Sequence, residues 1–448
     1  MLTASQVELD ITKSRTVWFV QARVLNYVGM SFSGHHRLIE LADSSRSNTI
    51  TLCRRIGAFR PSEPPSFEAS YNDSDRDQEC CWKGWIQEES CRRLGFCSFV
   101  SNHRGRVGLL QTHLTSLQLA DALVSVYFGV QPCMAVGELL QSLPCHESLW
   151  NAVDQSQWSE RYRKNKGTHL TVRSASTHLS CGKPLGPEVG DFARLVLGVT
   201  TYLNFRSVLD MISNPVMPRM MSTVDWEEDV RRSGLSLLEA LRPRPSGSDG
   251  VSAPLRASLE SHLFLMAILL CLPRIAVMVY TSSVNRPDAD RSESEAQVRR
   301  WLEQGNGRTA RLAVWYAGNL LGLVRERSFR GFHEPTSVFI STITLWTYGK
   351  AAVLHTLASR NSQNTEKSTT SSVSQPLRID VRDETQGFAA WIDGQPHLYG
   401  YMKDVGNITT PSAPSRVVTV AKGAIKGSCC WGVCSLLTDA LSRLSSRE

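Results

Sequence analysis

His333-Glu334-Pro335 sets an imidazole beside a carboxylate ahead of a rigid residue, a pairing that general acid and base chemistry uses. The same three residues also suit a plain helix entry, with Glu334 near the positive end of the helix and Pro335 in its first turn. That structural assignment is preferred, and an all-α enzyme using His333 and Glu334 stays as the alternative. His36 and Glu40 stand four apart with His35 beside them, which could place metal donors on one helix face. No further ligand cluster accompanies them, so a solvated helix start is expected. Cys91 and Cys97, and Cys430 and Cys434, lack the close pairing with a matching second half that closes a zinc tetrahedron. Gly29-Met30-Ser31-Phe32-Ser33 ends in serine where a nucleophile elbow needs glycine, and no glycine-rich loop ends in Lys-Ser or Lys-Thr to cradle phosphate. The densest basic run is Arg161-Tyr162-Arg163-Lys164-Asn165-Lys166, which suits phosphates or an import receptor, or else a solvated loop after a helix. No catalytic, cofactor-binding or metal-binding residue is therefore assigned.

The elements that must hold these residues are mostly helical. The chain has 448 residues, of which 42% are hydrophobic and 20% charged, enough apolar material for a large core in two or three cooperating units. Its net charge of +7 is too mild to argue nucleic-acid binding by itself. The twelve cysteines are scattered, often beside apolar residues, as reduced thiols of a cytosolic or nuclear protein would be, and Met1 to Asp10 lacks the basic-then-apolar start of a signal peptide. Helical spacing recurs at Val17, Val20, Ala22, Val24 and Val28, and again at Leu312, Trp315, Leu320, Leu323 and Val324. A turn at residues 29–34 separates the first helix from one opened by Leu38, Ile39, Leu41 and Ala42. Strand alternation is rare, and its best cases are residues 377–381 and 417–420. Leu263 to Tyr280 is the one apolar run long enough to suggest a membrane span, but Arg274 and Pro273 in it favour a buried core helix with a proline break. Polar stretches at residues 60–77, 242–258, 283–295 and 360–376 read as loops or linkers.

Three blocks then resemble a known family. Trp82-Lys83-Gly84-Trp85 through Glu88-Glu89 and Arg92-Arg93-Leu94 is similar to the Trp/Glu/Arg-Arg signature of the fungal-specific transcription factor domain. Glu138 through Leu143-Pro144-Cys145 to Leu149-Trp150, with Ala152 and Trp158 beyond, resembles that family's Leu-Pro-Cys and Leu-Trp pattern and is the most specific of the three. Ala310 to Gly318, Phe332 to Pro335 and Leu345 to Tyr348 resemble the closing helices in the subfamily with a Cys/His-type finger. Residues 21–57 resemble the segment that precedes the first block.

The resemblance implies an all-α, multi-helical regulatory domain with long polar loops and at most minor strand content. It implies a nuclear, non-enzymatic transcription regulator, controlling a metabolic or secondary-metabolite gene set, with no cofactor in this chain. Zinc and DNA contact would belong to a finger module missing from the chain or supplied by a partner. Contacts with the transcription machinery or co-regulators, and dimerisation, are implied as well, and no membrane. The expected divisions are N-terminal helices to residue 59, a linker at 60–79, a central region at 80–241, a linker at 242–258, a distal region at 259–359, a linker at 360–376 and a helical end at 377–448. Residues 100–120 depart from the family pattern as an insertion or a splicing error. Scaffold roles fall to Trp82, Trp85, Arg92 and Arg93 on one helix, to Leu143, Pro144, Cys145 and Trp150 at a turn, and to Trp315, Glu334, Pro335 and Trp346 in the distal bundle. Spaced four or fewer residues apart, Glu88, Glu89, Arg92 and Arg93 are expected as exposed ion pairs worth a few tenths of a kcal/mol each.

Overall fold

The computed structural model describes residues 16–61, 75–97, 133–164, 170–212, 226–243, 253–282, 288–328, 330–362, 374–381, 387–427 and 430–445. The 100–120 departure lies outside them. The architecture is all-α with one small sheet. The chain divides into two units, residues 1–259 and 260–448.

In the first unit, helix α1 (Val17–Ser31) buries Val20, Val24 and Val28 of the stripe the spacing predicts, with Tyr27 beside them, while Val17 is half-buried and Ala22 exposed, and it packs on α2 (His36–Arg55). His36 and Glu40 form a solvent-facing pair on α2, with Nδ1 and Oε1 3.1 Å apart. Helix α3 (Asp75–Cys97) starts inside the polar stretch at 60–77. A helical turn α4 (Glu147–Trp150) and helix α5 (Gln155–Lys164) follow. Helix α6 (Val172–Ser180) opens with a capping box: Ser174 N–H donates to Thr171 Oγ1, and Thr171 N–H to Ser174 Oγ. It closes on Gly182 at φ +71°, where Lys183 N–H reaches the His178 carbonyl and Gly182 N–H that of Leu179. Helix α7 (Asp191–Ile212) buries residues around most of its first half and packs on α8 (Trp226–Ala240).

Helix α9 (Ala253–Cys271) carries the division between the units, and α10 (Arg274–Thr281) resumes after the break at Pro273. The apolar run thus folds as two helices. The window Pro254–Cys271 passes a length and hydropathy test for a membrane span, as does α7, yet 83% of it is buried within the protein, as in a core helix. In the second unit, the Trp301 indole N–H donates to the Cys271 carbonyl at 2.8 Å, satisfying an orphaned acceptor at the end of α9. Helix α11 (Asp288–Glu303) occupies much of the stretch at 283–295, which sequence had read as a loop: Ser294, Val298 and Trp301 are buried, an inward stripe that its many charges masked. Helices α12 (Arg308–Arg327) and α13 (Glu334–Ser362) form the centre of this unit.

The C-terminal segment, expected as helical, also holds strands. β1 (Gln375–Arg378) runs parallel to β2 (Leu398–Met402), with Leu377 opposite Gly400, and β2 pairs antiparallel with β3 (Gly406–Asn407). A short helix α14 (Phe388–Ile392) lies between β1 and β2. The expected strand at 417–420 is instead part of α15 (Ala413–Gly427), which packs on α13. Val417, Val418, Ala421 and Ile425 make one buried helical stripe, so tertiary packing overrides the β preference of the four branched residues at 417–420. Helix α16 (Val433–Ser445) ends the described chain. A close approach sets the sheet against α12: a Cβ on Gly318 would lie 2.4 Å from the Ile379 carbonyl oxygen, and one on Gly322 2.2 Å from that of Asp380. Between them, Asn319 Nδ2 donates to the same Ile379 carbonyl at 3.2 Å.

Candidate functional site

The first two sequence blocks meet in the first unit. Trp85 of α3 packs with Cys145, Leu149, Ala152 and Trp158, and Trp82, Ile86 and Trp150 flank this cluster. Trp85 and Trp158 have ring centroids 5.6 Å apart, within the range of favourable aromatic pairing. Beside the rings lies a buried ionic knot. Glu89, with 0% exposure, accepts from Arg93 Nε at 2.8 Å, from the Cys145 N–H at 2.9 Å, and from Arg92. Arg93 also donates to the Cys145 carbonyl at 2.8 Å, and its guanidinium lies 4.5 Å from the Trp150 ring centre and 5.2 Å from that of Phe192. The expected exposed pairs are thus replaced by a desolvated network, because the turn at 143–147 and the start of α7 cover this face of α3. Burial pushes the Glu89 carboxyl up, but Arg93 and Arg92, then the Cys145 N–H, outweigh it and hold it below the usual carboxylate range. Burial raises the Cys145 thiol well above the ordinary value, with Glu89 adding to the effect, so it stays protonated and inert as a nucleophile.

Glu147 ties this knot to α7. Its carboxylate accepts from the backbone N–H groups of Asp191 at 3.1 Å and Phe192 at 2.9 Å, capping α7 from 44 and 45 residues away. Glycine at 190 leaves room for this carboxylate: a Cβ there would lie 2.2 Å from Glu147 Oε2 and would push that side chain aside. Asp191, buried and close to Glu147, has its carboxyl raised by burial first and by that neighbour second, while Arg256 opposes the shift from 3.4 Å.

On the other side of the same turn is an open cleft of about 830 Å³. It is lined by His146 and Ser148, by Arg163 and Lys164 from the last turn of α5, by Leu170, by His178 of α6, and by residues 184–188. His146 caps α4, its Nδ1 accepting from the Ser148 N–H at 3.1 Å, which leaves the ring proton of the neutral imidazole on Nε2. Arg161 donates to the Ser148 carbonyl, and Lys164 pairs with Glu160 at 2.7 Å on an exposed face. The α6 terminus at Gly182 turns the chain so that Pro184 to Glu188 stand beside His178. The basic run therefore ends a helix and forms a cleft wall instead of a loop, while Asn165 and Lys166 lie outside the described residues.

The remaining predicted residues fall in the second unit. Trp315 packs on Phe388 at 4.5 Å between ring centres, and Trp346 on Tyr280 at 6.1 Å. Glu334 opens α13 with 0% exposure and accepts from Ser328 Oγ at 2.8 Å. His333, 2% exposed, lies against His262 with ring centroids 4.0 Å apart. Glu334 and Pro335 thus hold a buried helix entry, and neither His333 nor Glu334 lines the cleft. Among the described residues, no three or more His, Cys, Asp or Glu side chains gather as a metal-holding group. Sequence reasoning passed over Glu147, Gly190, His146 and His178. Glu147 directly follows the Leu-Pro-Cys-His run, and Gly190-Asp191 starts an apolar helix, but nothing local joins the two.

No family profile and no solved structure matches the chain. It is 20% identical over 420 residues to a protein named Transcription factor in Gibberella fujikuroi, covering 94% of this chain and 48% of that one. It is 22% identical over 283 residues to Zinc finger protein klf1 of Schizosaccharomyces pombe, covering 60% of this chain and 33% of the relative. A stretch of 130 residues, 29% of the chain, is 25% identical to Transcription factor PfmaH of Pestalotiopsis fici. The chain thus spans about half the first relative and a third of the second, and the fungal proteins it is similar to are named as transcription factors and as a zinc finger protein.

Proposed function

We propose that these 448 residues are the regulatory region of a fungal zinc-finger-type transcription factor, working in the nucleus on a metabolic or secondary-metabolite gene set. The similarity over 94% of the chain to a protein named as a transcription factor supports this most strongly. The assembly of the first two blocks into one buried node agrees with it, because bulky aromatics and a closed ionic knot specify packing and not a reacting centre. Regulation needs a domain whose packing a ligand or partner can bias, and no catalytic group. Zinc and DNA contact, in this reading, belong to a module outside these residues or on a partner, and co-regulators or a second copy would dock on the helices. The test fuses the full chain to a heterologous DNA-binding module and follows a reporter and the nuclear fraction. Reporter output should change only with the fusion, and Arg93→Ala should abolish the change. A stable, nuclear fusion that leaves the reporter at the level of the DNA-binding module alone would overturn the proposal.

A further inference from the structure

We infer that the cleft between the Cys145-His146-Glu147 turn, the end of α5 and the loop at 184–188 is a binding site for a small organic phosphate ester. Its volume of about 830 Å³ lies within the range of small-molecule sites and is concave where an extended nucleic-acid backbone would need a long open track. Arg163 and Lys164 supply two permanent cations at one wall, and His146 and His178 supply ring N–H donors from two further elements, against the carboxylate of Glu188 in the lining and that of Glu160, which pairs with Lys164 at 2.7 Å. Arg163, Lys164 and His178 each stand in a last helical turn whose carbonyls they complement, and His146 caps α4, but these local roles leave all four side chains facing one cleft from three elements. Leu170, Pro184, Leu185 and Pro187 give part of the lining an apolar character, which suits the carbon body of an ester and not a bare inorganic ion. His146 stands between Cys145 and Glu147, so an occupied cleft would press on the turn that carries the buried knot. The binding claim stands apart from the transcriptional reading, because it is measured on the isolated full chain without DNA or reporter.

Phenyl phosphate is the probe, titrated into the full chain by calorimetry, with inorganic phosphate, benzoate and a single-stranded DNA oligonucleotide as comparisons. Saturable 1:1 binding of phenyl phosphate is expected, tighter than inorganic phosphate or benzoate and competed by inorganic phosphate. Arg163→Gln with Lys164→Gln should weaken it by about tenfold or more, the loss of charge-assisted hydrogen bonds. His178→Ala should weaken it by about threefold to tenfold. Both sites are surface positions, and an unchanged melting temperature confirms that the variants fold. The inference is overturned by the absence of saturable binding, by binding that the double variant leaves intact, by benzoate binding as tightly, or by the oligonucleotide binding more tightly at the same residues. A reporter failure with phenyl phosphate still bound would remove only the transcriptional proposal.

Discussion

Arg93→Ala measures whether the Glu89–Arg93 pair is the buried linchpin seen here or an ordinary helix-surface pair. An exposed pair at this spacing contributes about 0.2–0.5 kcal/mol, and its loss would move a melting temperature by little more than one degree. The structure gives a different magnitude. Glu89 is fully buried, and alanine at 93 would leave its carboxylate only the Arg92 and Cys145 N–H donors, take the side-chain donor away from the Cys145 carbonyl, and remove the guanidinium from the Trp150 and Phe192 rings. Breaking a buried pair from one side costs about 3–5 kcal/mol. At about 2–4 °C per kcal/mol for a unit of this size, the melting temperature should fall by roughly 6–20 °C. Arg93→Lys keeps the charge but cannot satisfy Glu89 and the Cys145 carbonyl together, so it should lose about 1–3 kcal/mol. Glu89→Met with Arg93→Met removes both charges and should recover most of the loss. The assay is urea unfolding with hydrogen exchange read over peptides of α3 and α7, which separates this unit from the other. An Arg93→Ala chain within about 0.5 kcal/mol of wild type, the range of an exposed pair, would refute the reasoning.

Gly190→Ala should drive the Glu147 carboxylate off the Asp191 and Phe192 N–H groups, costing about 2–4 kcal/mol, and combined with Glu147→Gln the losses should not add in a denaturant double-mutant cycle. Because the folded carboxyl of Glu89 titrates below its unfolded value of about 4.3, its contribution is whole above that pH and is lost as pH falls through the folded value. The stability difference between wild type and Glu89→Gln should therefore be flat from pH 7 to about 5 and shrink only below about 4, as read by urea midpoints across pH. Gly322→Ala should destabilise the second unit by about 1–3 kcal/mol against a propensity gain of about 1, because the Asp380 carbonyl cannot yield, whereas Gly29→Ala, with open space around it, should stabilise slightly; thermal melts of the two decide.

Spacing alone determined the helical class, the turn that closes α1 and the proline break after α9, because helical periodicity and a missing proline N–H are local physics. The first two blocks were legible as scaffold for the same reason: tryptophans three residues apart share one helix face. What Glu89 and Arg93 are worth was not legible. Their spacing is that of a solvated pair, and only the covering turn and α7 remove the water that would have screened them. The strand-like residues 417–420 became helix because α13 offers a partner for a helical stripe. Glu147 capping a helix 44 residues on, glycines 318 and 322 admitting a sheet backbone, and histidines 146 and 178 lining one cleft all depend on chain reversals between distant segments. A linear sequence carries no distance between such segments, so these arrangements were settled only when the packed core brought them together.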